Sequence, residues 1–200
     1  MTKLPKVLIF SRLFIGAILL FLSLFHNDHY KIFAIILISV GLLTDIFDSI
    51  IARRLNISTE SLRRLDSTVD QAFWILIGIS TYIECPGFFH AHYTQLIILF
   101  TTEALTYIIS YIKYKREVAT HAIASKVWTL IMFATLIQII STCNSGTLFQ
   151  LFFYTGMITR IEIITIIFLL KKWTNDVPSV YHAVLLRQGK SIKRNKLFNG

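Results

Sequence analysis

The chain has 200 residues, of which 54% are hydrophobic and only 16% charged, and its formal net charge is +9. With a mean hydropathy of +0.64, that composition excludes a water-soluble domain with a charged surface around one apolar core. It also argues against a nucleic-acid partner, because no soluble basic face exists to carry the positive charge.

Apolar runs long enough to cross a bilayer recur along the chain. They predict membrane spans near residues 8–25, 31–51, 67–84, 93–112, 124–142 and 148–170, joined by short connections with no break in composition. The expected fold is all-α: a polytopic integral membrane protein with six transmembrane helices. Lys3 and Lys6 precede the first run, "VLIFSRLFIGAILLFLSLF". That run is longer than the apolar core of a signal peptide and lacks a small-x-small cleavage site, so it reads as a retained first helix.

Charge sets the expected orientation. Lys3, Lys6 and Arg12 lie at the N-terminus, and Arg53, Arg54, Arg63 and Arg64 lie between spans two and three. Lys113, Lys115, Arg116 and Lys126 lie between spans four and five, and seven further Lys and Arg residues follow Leu170. Lys31 alone falls in a loop of the opposite side. The positive-inside rule then puts both termini in the cytoplasm, facing an anionic leaflet.

The remaining loops carry weaker signals. Cys85 and Cys143 fall on the outer side, where a disulfide could join them, but two unconnected cysteines are the expectation. His26, His29, His90 and His92 are interfacial polar residues with no metal-site spacing. Asn56-Ile57-Ser58 matches a glycosylation sequon on the wrong side of the membrane. After Trp173, Asp176 can cap a helix and Pro178 suits its first turn. Val177, Val180, Tyr181, Val184 and Leu185 then recur at helical spacing before the basic "RQGKSIKRNK". An interfacial amphipathic helix on the cytoplasmic leaflet is expected there. Residues 1–172 are thus read as the membrane domain and 173–200 as a basic cytoplasmic tail.

The segment "TDIFDSIIARRLNISTESLRRLDSTVDQ" carries the chemistry. Asp45, Asp48 and Ala52 are three and four residues apart and share one helical face. Ser58 or Thr59 can cap a new helix, with Glu60 in its first turn. On that helix Leu62, Asp66 and Asp70 are spaced four apart and again share a face. Two antiparallel helices would bring the four acids together at the cytoplasmic interface. Converging carboxylates cannot all stay ionised unaided there. Divalent cations relieve the repulsion, and all-oxygen ligation selects Mg²⁺ or Mn²⁺. Such clusters, often with two ions, steady phosphate charge during displacement.

The same segment resembles the motif of the CDP-alcohol phosphatidyltransferases, D-x2-D-G-x2-A-R-x8-G-x3-D-x3-D. Asp45, Asp48, Ala52, Arg53, Asp66 and Asp70 match in place without a gap. The opening "KLPKVLIFSR" is similar to the family's P-N-x-L-T-x2-R at Pro5, Leu8 and Arg12. The resemblance implies transfer of a phosphatidyl group from CDP-diacylglycerol to a small alcohol, releasing CMP, in an inner (cytoplasmic) membrane. It implies that Asp45, Asp48 and Asp66 hold metal, and that Asp70 both touches metal and acts as the base. Ser49, Ala52, Arg53 and Leu62 would border the nucleotide and diphosphate, and a homodimer is implied.

Four positions depart from the family pattern: Lys6 and Ile9 near the N-terminus, and Ser49 and Leu62 where the motif has glycine. Glu103 resembles a glutamate of phosphatidylglycerophosphate-synthase-like members, and Arg160 and Glu162 could form a structural pair with it. Lys115, Arg116 and Lys126 could receive a phosphorylated alcohol, with glycerol 3-phosphate the expected acceptor. Two rival readings stand beside this one. A degenerate member would keep the metals without turnover, and a transporter would place acids deep in several spans, which this chain does not.

Overall fold

The computed structural model describes residues 4–55, 59–116, 118, 120 and 122–192, with Arg53 and Glu60 described by their backbone only. All regular structure among them is helical: α1 (Leu4–Leu24), α2 (Tyr30–Arg54), α3 (Glu60–Glu84), α4 (Pro86–Ala91), α5 (Tyr93–Tyr114), α6 (Ile123–Thr142), α7 (Thr147–Leu169) and α8 (Val180–Arg187). The sequon at 56–58 and the end of the basic tail lie outside the described residues.

Five of these helices, α1, α2, α5, α6 and α7, are long and apolar enough to cross a membrane. The predicted third span falls on α3, which is 25 residues long. Its first turns carry Arg63, Arg64, Asp66 and Asp70, so it is too polar to join the other five by composition. Large apolar side chains such as Phe14, Phe21, Phe25, Phe100 and Ile112 point outward and are more than half exposed. A surface of that kind is a lipid-facing one.

The chain divides into two compact units. In the first, residues 1–91 with 135–145, α1 packs along both α2 and α3. Its buried residues Pro5, Ile9, Arg12, Gly16, Leu19 and Ser23 recur every three to four positions and form one stripe. Glycines allow the close approach. A methyl group on Gly16 would lie 2.8 Å from Leu76 Cδ1, and one on Gly41 of α2 would enter the ring of Phe73. Phe73, 1% exposed, thus wedges α3 against both neighbours. The two acid-bearing helices were expected to lie directly side by side. They do touch, through Phe73 against Gly41, Ser49 with Arg63, and Tyr30 with Ser80, while α1 packs along both of them.

At the other end of this unit, Tyr30 Oη and Ser80 Oγ are 2.7 Å apart, and Ser80 Oγ donates to the Leu19 carbonyl at 3.0 Å. Nearby, Cys85 and Cys143 form a disulfide with Cα atoms 5.2 Å apart. The expectation of two unconnected cysteines is therefore overturned. The sequence separation of 58 concealed the pairing, since only the fold brings the end of α3 to the end of α6.

The second unit contains residues 92–134 and 146–200. Trp128 stacks on Phe152 with ring centroids 5.2 Å apart, and Gly156 leaves room for the indole. Arg160 lies over Trp128, 4.3 Å from the ring centroid, and is ion-paired with Glu103. Lys113 Nζ donates to the Ile167, Phe168 and Leu170 carbonyls at 2.7, 3.0 and 2.9 Å, closing the C-terminal end of α7. Helix α8 begins at Val180 behind Ser179, not behind Asp176. Asp176 is buried with φ at +54°, a turn conformation that precedes the helix. Val177 and Ala183 pack on Ile163, Ile166 and Ile167 of α7, while Tyr181 is 68% exposed.

Candidate active site

Three helices of the first unit assemble the site, and local sequence explains each contribution. Thr59 takes extended backbone and its side chain accepts the Leu62 amide at 3.2 Å, starting α3 at the predicted cap. The start of α3 fixes the phase of Asp66 and Asp70 one turn apart. On α2, Asp45 and Asp48 occupy one face near the helix end. Ligand oxygens of Asp45, Asp48 and Asp66 lie within 4.8 Å of one another.

Arg12 of α1 stands at the centre of the acids and is completely buried. Its Nη1 donates to Asp45 Oδ1 at 2.7 Å and also to Asp70. Its Nη2 donates to Asp48 Oδ2 and to Asp66 Oδ1, each at 2.6 Å. One guanidinium therefore bridges all four carboxylates across three helices. Arg12 was expected both among the N-terminal cytoplasmic charges and as the arginine of the family's opening pattern, and the fold brings it against all four acids. The signal was present as a single arginine eight residues into α1, inside an apolar run, where an unpaired charge would be costly.

The four acids are not equivalent. The side chains of Asp48 and Asp66 are 2% and 6% exposed, whereas those of Asp45 and Asp70 are 33% and 27% exposed. An inner pair and a more open outer pair result. One guanidinium faces four carboxyl groups, and the donor set consists of hard oxygens at close spacing. These residues fit a hard divalent cation.

Beside the inner pair, a small cleft is lined by Ile9, Asp48, Ser49, Leu62, Arg63 and Asp66, among others. Ala52 and Leu62 are buried with Ile9 and Val69 in one apolar cluster. Ser49 Oγ accepts a hydrogen bond from Arg63 Nη1 at 3.2 Å. Arg53 sits on α2, with its side chain outside the described set. Lys115, Arg116 and Lys126 belong to the second unit. There Lys115 terminates α5 in the left-handed conformation, and Arg116 lies 5.2 Å from the Trp173 ring centroid.

Residues 2–180 match the sequence model of the CDP-alcohol phosphatidyltransferases. The chain belongs to the CDP-alcohol phosphatidyltransferase family. No curated protein and no solved structure matches the chain. Members of the family are phosphotransferases that act on substituted phosphate groups in phospholipid biosynthesis, and this chain is an enzyme of that class. The helices able to cross a bilayer place it in a membrane.

Proposed function

We propose that this phosphatidyltransferase moves the phosphatidyl group of CDP-diacylglycerol to the hydroxyl of a small alcohol, releasing CMP, in a metal-dependent reaction at the cytoplasmic face of the inner membrane. The observation that carries the reading is the convergence of Asp45, Asp48, Asp66 and Asp70 at the motif positions of the family.

Asp45, Asp48, Asp66 and Asp70 are the residues that would hold Mg²⁺ or Mn²⁺, with two ions proposed. When bound, the metal neutralises the carboxylates and stabilises charge on the transferring phosphate. Asp70 is the proposed base. Its side chain is partly open, so a carboxylate oxygen can accept the proton as the acceptor hydroxyl attacks phosphorus. The new oxygen–phosphorus bond forms to the lipid-bearing phosphorus, and the bond from that phosphorus to the CMP oxygen breaks. Arg12 of α1 holds the acids of α2 and α3 in one register. Ser49, Ala52, Arg53 and Leu62 are assigned to the nucleotide and diphosphate side.

The acceptor is proposed as glycerol 3-phosphate, with Lys115, Arg116 and Lys126 receiving its phosphate. Helix α3 is read as the sixth membrane crossing, and its 25 residues suffice for one. Helix α8 is read as an interfacial helix on the cytoplasmic leaflet, with Arg187 in its last turn and Lys190 just beyond. Residues 1–172 would form the catalytic membrane domain and 173–200 its tail, in a homodimer. Incubating purified protein with CDP-diacylglycerol and single alcohols tests the reading. CMP should appear with glycerol 3-phosphate, and its absence with every alcohol would refute the transferase reaction.

A further inference from the structure

Three of the four positions at which this chain departs from the family pattern, Ile9, Ser49 and Leu62, line one cleft beside Asp48 and Asp66. Their side chains fall into two groups. Ile9 of α1 and Leu62 of α3 join one buried apolar cluster, which closes one wall. Ser49 of α2 instead holds Arg63 of α3, a residue outside the motif, through its 3.2 Å hydrogen bond. Arg63 is only 3% exposed and lines the same cleft. Serine in place of glycine therefore supplies one acceptor to the guanidinium, which a glycine could not.

We propose that Ser49 and Arg63 form a clamp for the diphosphate of the donor, with Arg63 the binding residue and Ser49 the residue that positions it. The inference rests on the phosphatidyl-transfer reading and deepens it. A planar guanidinium is the side chain best matched to two phosphate oxygens. It is already desolvated here, so little ordering remains to be done on binding. The adjacent Arg64 is exposed and provides a control of equal charge.

The test measures the KM for CDP-diacylglycerol, the KM for the alcohol, and calorimetric binding of inorganic pyrophosphate in Mg²⁺ buffer. Arg63→Gln should raise the donor KM and weaken pyrophosphate binding by about tenfold or more, as loss of a charge-assisted contact does. The acceptor KM should not move, and Arg64→Gln should match the natural protein. Ser49→Ala should shift the donor KM in the same direction but less, and the double variant should be no worse than Arg63→Gln alone, because the two act as one unit. Arg63→Lys covers the event that Arg63→Gln does not fold, and should show a smaller loss of the same two quantities. Unchanged donor KM and pyrophosphate binding in Arg63→Gln and Arg63→Lys would overturn the clamp while leaving the transferase intact. If the natural protein releases no CMP, the transferase reading fails by itself. The clamp is then judged on pyrophosphate binding alone, with an equal affinity in Arg63→Gln refuting it.

Discussion

Arg12 on α1 donates to Asp66 on α3 at 2.6 Å, and the same nitrogen reaches Asp48 on α2 at the same distance. Three helices are thereby tied through one completely buried guanidinium. Removing it strands the inner carboxylates, and breaking a buried charge pair from one side typically costs about 3–5 kcal/mol. Arg12→Met, unbranched and uncharged, should therefore lower the melting temperature in detergent without metal. Added Mn²⁺ should narrow the gap to the natural protein, because a cation then meets the orphaned charge. Equal melting of the two proteins without metal would contradict this account of Arg12.

Asp70 is the acid assigned to proton transfer. Asp70→Asn should lower turnover by a factor on the order of 10²–10⁴, the usual loss on removing a general base, and loss of its metal contact adds to that. Donor binding should stay within about tenfold, since Asp45, Asp48 and Asp66 remain. The comparison with Asp66→Asn is decisive. Near-normal turnover in Asp70→Asn beside a dead Asp66→Asn would move the base elsewhere.

Leu62 stands where the family motif has glycine, and it is buried against Ile9, Ala52 and Val69. Leu62→Gly empties that cluster and weakens the helix. A loss of about 3 kcal/mol or more follows from the cavity and propensity terms together. Turnover should fall with it. A degenerate protein blocked by Leu62 would behave oppositely, with Leu62→Gly and Ser49→Gly together creating CDP-diacylglycerol binding that the natural sequence lacks. A binding titration of both forms separates the outcomes.

The disulfide and the acids occupy opposite ends of α3. Cys85 lies 15 residues beyond Asp70, about 22 Å along a helix axis. Disulfides persist in oxidising compartments, so the acids should face the cytoplasm, as the Lys and Arg distribution also requires. A membrane-impermeant maleimide should label Asp28→Cys but not Gln188→Cys in intact cells. Labelling in the reverse order would invert the topology. Removing the bridge with Cys85→Ser and Cys143→Ser should cost about 2–4 kcal/mol of stability and leave the chemistry at the far end unchanged.

Much of the site was legible because helical periodicity is local. The spacing of Asp45 with Asp48, and of Leu62 with Asp66 and Asp70, requires no tertiary knowledge, and Thr59 caps α3 as its residue type predicts. What escaped depends on contacts between distant segments. Arg12 reads as a cytoplasmic charge and a match to the family's opening pattern, and its contact with the acids emerges only when α1 is packed against the other two helices. The pairing of Cys85 with Cys143 needs α6 as well as α3. Asp176 has the right chemistry for a helix cap, but it is buried in a left-handed turn, and α8 starts three residues after Val177. Helix α3 falls outside the five candidate spans by composition because of the same charges that build the site. By contrast, Glu103 and Arg160 sit in separate apolar helices, where the cost of an unpaired charge made their pairing foreseeable.

The central claim is that the four aspartates work through divalent metal. The most direct measurement is CMP release from CDP-diacylglycerol by purified protein, first after exhaustive chelation and then with Mn²⁺ or Mg²⁺ restored. The account predicts no release in the chelated sample and full recovery on adding either ion, with Asp48→Asn unresponsive to both. CMP release that continues undiminished after chelation would contradict it.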